Sequence, residues 1–162
     1  MVVTLAAGAF VAAATSKSTS RTEAAPQSCL TVSEQFRLLR VLPGGRKVYA
    51  ADGPRPNTLW VQLVTMEAHH RQTVSGSGGP QLGAAHPTTI ATDTLVVSGP
   101  HATPPLTFGV ACDGITSVSF TALGHVQTAP VVNNVWYHIG PNSALWSLTV
   151  HYADGHSRTI KR

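Results

Sequence analysis

From residue 90 to the C-terminus, short β-branched and aromatic runs are cut apart by glycine and proline turns. That punctuation limits the fold more than any other feature of the chain. Strands are expected over 94–98, ended by Gly99-Pro100, and over 106–111, entered through Pro104-Pro105. Asp113-Gly114 turns into 116–121, where Thr116, Val118 and Phe120 alternate with Ser117 and Ser119. Gly124 leads into 126–129, then 131–139, the Gly140-Pro141-Asn142 turn, and 145–152. Asp154-Gly155 is a hairpin signal between 145–153 and 156–161. The expected fold class is mainly β, an antiparallel, sandwich-like meander.

The turns also suggest a register. Pairing Ala153 with His156 sets His151 against Arg158 and Val150 against Thr159. A loop centred on Pro141-Asn142 sets Tyr137 against Trp146 and Val135 against Leu148. One face then carries Val131, Val135, Tyr137, Ile139, Trp146, Leu148, Val150 and Tyr152, a core stripe. The other carries Asn134, Trp136, His138, Leu145, Ser147 and His151. Trp136 is the odd residue there: either a second layer covers it, or it is an exposed anchor for a partner.

The first half reads differently. Residues 31–42 suggest one short N-terminal α-helix, with Ser33 as N-cap and Phe36, Leu39 and Leu42 at helical spacing. Pro43-Gly44-Gly45 ends it. Strands are expected at 47–51 and 59–66, separated by a turn with Gly53 and two prolines. Residues 67–89 hold four glycines, two prolines and no apolar period, so a long loop is expected there. Its SGSGGP core is not a phosphate loop, since no Gly-Lys-Ser/Thr follows.

Charge is sparse, 11% of the chain, and residues 72–157 contain three acids and no Lys or Arg. The formal net charge of +4 lies on the N-terminal third and the last few residues. No base-stacking basic strand accompanies it, so nucleic acid is not an expected partner. Residues 2–14 are apolar or small except Thr4, too short for a ~30 Å hydrocarbon core. They fit a signal-peptide h-region with an A-x-A-like site at Ala12-Ala13-Ala14, although no Lys or Arg precedes them; the end of a membrane anchor is the alternative. Residues 15–28 read as a flexible tether, and 29–162 as one β-rich domain. Beyond the N-terminal segment no membrane contact is expected. In an exported protein Cys29 and Cys112 can form a disulfide, stabilising by about 4 kcal/mol; two buried free thiols, or a reactive thiol, are the alternatives.

Several phrases resemble a group of uncharacterised exported proteins of actinobacterial type. They are FRLLR, VYAADG, LWVQLV, TDTLVVSG, TFGVACDGITSVSF, TAPVVNNVWYHIG and SLTVHYADG, in that order. The resemblance covers about residues 33–162 and is most specific over 108–139. It is to a domain of unknown function, so it implies export and a β-rich fold but no activity. Cys112 stands where the resemblance implies a proline, and cysteines implied within 59–66 and the Gly-rich segment are missing, so a bridge here need not be theirs.

Residue chemistry does not point to catalysis. The eight histidines include His69-His70, which face opposite ways on a strand, and no H-x-x-x-H or C-x-x-C spacing accompanies them. No metal or other cofactor is expected. There is no G-x-S-x-G, and Asp113 and Asp154 are explained by their Asp-Gly turns. The expected function is that of a secreted or extracytoplasmic, non-catalytic, monomeric domain with a structural or recognition role at the cell surface. Its partner would be a protein or cell-envelope component. Its contact surface would involve loop 67–89, Trp136, His138, His151, His69 and His70. The alternatives are an extracellular sensor or regulatory domain of a membrane-anchored protein, and a secreted hydrolase with its site in loop 67–89 and a histidine as base.

Overall fold

The computed structural model describes residues 29–66, 72–93, 104–140 and 147–161. These residues form eleven strands in three antiparallel sheets. Sheet 1 is a meander of β1 (Arg37–Val41), β2 (Lys47–Asp52), β3 (Thr58–Met66) and β4 (Gln72–Pro80), in that order. Sheet 3 has the order β5-β6-β9, from Ala91–Asp93, Leu106–Val110 and Val135–Ile139. Sheet 2 has the order β11-β10-β7-β8, from Ser157–Lys161, Ser147–Tyr152, Ile115–Ala122 and His125–Pro130. The mainly β, sandwich-like expectation is correct. Candidate strands 47–51, 59–66, 106–111, 116–121 and 126–129 all coincide with observed ones. The candidate strand 94–98, the signal or anchor segment 1–14 and the tether 15–28 lie outside the described residues.

One buried cluster joins all three sheets. It runs from Val48, Ala50, Leu59, Val61 and Leu63 of sheet 1, through β6, Val135 and Trp136, to Val118, Phe120, Leu148 and Val150 of sheet 2. β6 is buried along its whole length. The even-numbered side chains of β9 meet sheet 2: the Phe120 ring lies 5.7 Å from Trp136 and 5.2 Å from His138. On the other side, Arg40 of β1 stacks 5.0 Å over Tyr137 and donates to the Val135 carbonyl at 2.8 Å. A strand covered on both sides need not alternate, so Val135 and Trp136 are both fully buried.

The expected N-terminal helix is a strand, followed by a 3-10 turn at Pro43–Gly45. β1 pairs with β2 with a shift between Leu38 and Arg40, which leaves Leu39 as a bulge. The bulge resets the inward phase, so Leu39 and Leu42 are both buried while Leu38 and Val41 are exposed. A strand with this bulge therefore imitates the i, i+3 spacing of a helix.

β9 and β10 are not the expected hairpin partners. β10 has both edges occupied, by β11 and β7, with Leu148 opposite Phe120 and Val150 opposite Val118. Those inward apolar pairs are made with β7, far away in sequence, and the 140–147 connection changes sheet. The Asp154-Gly155 turn is real, but its loop is one residue longer than expected. Tyr152 and His156 close it through their backbones, at 2.9 Å, and Gly155 has φ +89°. Val150 therefore faces Arg158 and His151 faces Ser157. The shift puts Ile160 opposite Leu148 on the inner side. A bulge at Thr116 similarly turns Ile115 inward and leaves Thr116 exposed, against the expected alternation.

The outer face of sheet 2 is solubilised by hydroxyls. Thr128, Ser119 and His151 form a chain of contacts at 2.8 Å, and Thr149 meets Thr159 at 3.0 Å. The outer face of sheet 1 is apolar by contrast, with Leu38, Val41, Trp60, Met66 and Val74 exposed.

Candidate functional site: a hairpin with separated arms

The Gly-rich segment is not the structureless loop its composition suggests. Residues 72–80 pair with the full length of β3, from Thr58–Pro80 to Met66–Gln72. Glycine is tolerated because β3 supplies the side chains this strand lacks: a Cβ on Gly76 would lie 2.9 Å from the Trp60 indole nitrogen. After Pro80 the chain turns back, and residues 88–93 run antiparallel to β4. Among the described residues the two arms do not pair with each other. β4 closes one side of sheet 1, whereas β5 belongs to sheet 3, paired with β6 from Ala91–Phe108 to Asp93–Leu106.

The tip of this hairpin is fixed. Gly83 and His86 exchange two backbone hydrogen bonds of 3.1 Å. Leu82 and Pro87 are buried on either side of them. The Cys112 amide donates to the Pro87 carbonyl at 2.9 Å, and the Arg158 guanidinium donates to the Ala84 carbonyl. Cys112 is disulfide-bonded to Cys29, with Cα atoms 4.6 Å apart, and the Asp113 amide donates to the Cys29 carbonyl at 2.7 Å. The bridge thus ties the start of the domain to the layer beneath the tip.

The second arm is braced from below. Thr88 forms an isolated bridge with Ala111, and the Thr89 amide donates to Val110 at 2.8 Å. The Thr89 hydroxyl accepts from the Val110 amide at 2.9 Å. The Trp136 indole N–H donates to the Thr88 hydroxyl at 2.8 Å. Trp136 can reach Thr88 because residue 109 is glycine: a Cβ there would lie 2.5 Å from the indole nitrogen. Trp136 is therefore not an exposed anchor; a second layer covers it completely, and it positions the arm instead.

Between the arms runs a groove in two joined sections. The larger, about 360 Å³, is lined by Ser77–Pro80, His86, residues 88–91, Val61, Ile160 and Lys161. The smaller, about 210 Å³, lies between 75–77 and 90–92 over Phe108. Free edges of all three sheets meet here: β4, β5 and β11 each end their sheet. The lining is small and rich in hydroxyls, and Lys161 is its one Lys or Arg among the described residues. No carboxylate lines the groove among the described residues, and they contain no group of three or more metal-ligating side chains.

The other expected contact residues do not converge on one surface. His138, half-buried, sits edge-on to Phe120 in sheet 3, and His151, half-buried, is held by Ser119 in sheet 2. They lie on strands of different sheets rather than on adjacent ones. His69 and His70 lie outside the described residues. The exposed side chains of Asp154 and His156 hydrogen-bond to each other across their turn, with the imidazole stacked on Tyr152 at 4.0 Å. The His156 backbone N–H, joined by the imidazole, holds the Asp154 carboxyl below the ordinary carboxylate range. Sequence reasoning missed the groove because it depends on where two arms of one hairpin dock. Its only trace was the long charge-free Gly/Ser run.

Fold and site together define a disulfide-stapled β domain, sandwich-like, with a groove between two strand edges. No helix among the described residues is long and apolar enough to cross a membrane. Comparison with protein-family models, curated proteins and solved structures gives no match.

Proposed function

We propose that this chain is an exported, non-catalytic recognition domain whose contact surface is the groove between β4 and residues 88–93. The observation that carries this reading is the hairpin itself, with a pinned tip and arms docked in different sheets. Unpaired strand edges are normally covered or blunted by charge, because they invite pairing with another chain. Here, among the described residues, two such edges flank a groove whose arms carry no Lys or Arg and one acid, Asp93 at the end of β5. The Cys29–Cys112 bridge is consistent with an extracellular location. The resemblance of residues 33–162 to exported proteins supports the same compartment.

Hydrogen exchange of the purified domain, free and mixed with a washed envelope fraction of the source cells, tests the reading. Slowed exchange at 75–80 and 88–92 is expected. Slowed exchange confined to other surfaces, or none anywhere, overturns it.

A further inference from the structure

We infer that the outer face of sheet 1 carries a binding site of its own, a pocket between Trp60 and Phe36 that receives an arginine side chain of a protein partner. It lies on the other side of β3 from the groove. Trp60 and Gln62 line the pocket, whereas Val61 between them lines the groove. The inference therefore stands or falls apart from the groove.

The pocket follows from the register of sheet 1. Leu59, Val61 and Leu63 are buried in the core, so Trp60 and Gln62 face outward. Trp60 stands opposite Ala51, and Gln62 opposite Tyr49. Ala51 is too small to fill its place in that row and becomes the floor, only 1% exposed. The second wall comes from the segment before β1. The Asp52 amide donates to the Ser33 carbonyl at 2.8 Å, which lays residues 33–36 along the end of β2 and brings Glu34 and Phe36 to the pocket. The turn after Asp52 is tied down. The Gly53 amide donates to the Thr58 carbonyl at 2.8 Å, and the Thr58 hydroxyl donates to the Arg55 carbonyl at 2.6 Å. The cavity has a volume of about 510 Å³.

The lining chemistry selects the occupant. Phe36 is 44% exposed and Trp60 37%, so both rings have free surface beside the cavity. Glu34 and Asp52 are two of only seven acids in a chain of net charge +4. Among the described residues no Lys, Arg or His lines the pocket, and neither carboxylate is in an ion pair. The pocket is thus opposite in charge to the chain as a whole, and a cation is its complement. A guanidinium suits it better than an ammonium. It is flat and weakly hydrated, so it stacks on an aromatic face while its edge donates to carboxylates and to the Gln62 amide oxygen. Next to Phe36, the exposed Leu38 and Val41 continue an apolar surface along β1. Apolar residues flanking an arginine find cover there, and a free small guanidinium does not use it.

The probe is an acetylated five-residue peptide with arginine at its centre and leucine and valine at its ends. One control replaces arginine with citrulline, which keeps the shape and removes the charge. A second is acetyl-argininamide alone, and a third is a neutral disaccharide. NMR titration should give a saturable shift of the Trp60 indole N–H, with further shifts at 34–36 and 51–54. The citrulline peptide and acetyl-argininamide should each bind roughly tenfold more weakly. Trp60→Leu should weaken the arginine peptide roughly tenfold, by removing the stacking face. Glu34→Gln and Asp52→Asn keep size and exposure, and each should weaken it roughly threefold at low salt and less at high salt. Absence of binding, or equal binding of the citrulline peptide, overturns the inference. Equal binding of acetyl-argininamide also overturns it and makes a free small cation the ligand. Shifts from the disaccharide but not from the peptide make the pocket a sugar site. Shifts confined to 75–80 and 88–92 put the peptide in the groove instead, and overturn the inference while leaving the groove reading intact.

Discussion

The tip of the β4–β5 hairpin and its arms are a few residues apart and are held in opposite ways. At the tip, Leu82 and Pro87 are buried, Gly83 and His86 bond reciprocally, and the disulfide layer and Arg158 hold the backbone. Along the arms, residues 75–80 and 88–92 turn free edges toward a groove. A hairpin ordinarily zips from its turn, because pairing nearest the loop has the smallest closure entropy. This one is held unzipped by where each arm docks: β4 on β3 in sheet 1, and β5 on β6 in sheet 3, with Trp136 bracing Thr88. The difference shows that the groove is made by the docking of neighbouring layers, not by the local sequence of the loop.

The strongest way to break the contrast is to remove the brace. Trp136→Ala should destabilise the domain by about 3–5 kcal/mol in urea unfolding, because a fully buried indole leaves a cavity under residue 88. Replacing both Cys29 and Cys112 with Ala should cost about 4 kcal/mol and loosen the tip, read as faster exchange at Gly83 and His86. An unchanged midpoint would show that the bridge does not constrain the chain. Gly109→Ala should cost about 1–3 kcal/mol, since the added methyl group meets Trp136 and the second arm. Thr88→Val should cost about 1–2 kcal/mol, leaving the indole N–H buried without its acceptor.

The smallest effect lies at the β10–β11 turn. Asp154 has a carboxyl held below its ordinary range in the folded protein, so it favours folding at neutral pH. That contribution is lost as pH falls through the lowered value. Asp154→Asn should slightly lower stability at neutral pH and converge with the parent in acid. A gap that widens in acid would contradict this.

Much of the β architecture could be read from turns and alternation. β7 and β8 were legible because Asp113-Gly114 and Gly124 bracket them and Val118 and Phe120 alternate with serines. The hydroxyl contacts of sheet 2 follow from the same alternation, which replaces ion pairs where charge is absent. β1 was not legible, because a bulge at Leu39 produces a helical spacing of apolar residues. The partner of β10 was not legible either: local turns suggest β9, but the inward Phe120 and Val118 pairs lie far off in sequence. The groove was hidden for the same reason. Gly76 reads as part of a loop and Gly109 lies unremarked within a strand, and only their contacts with Trp60 and Trp136 explain them.

Amide exchange of the free domain, residue by residue by NMR, tests the separation of tip and arms most directly. The amides of Gly83, His86 and Thr89 should be slow, and along β4 every second amide should be fast, because only one edge is paired. Consecutive slow amides throughout 75–80, matched by slow outward amides across 90–92, would mean that the hairpin is zipped and the groove closed, and would contradict the account.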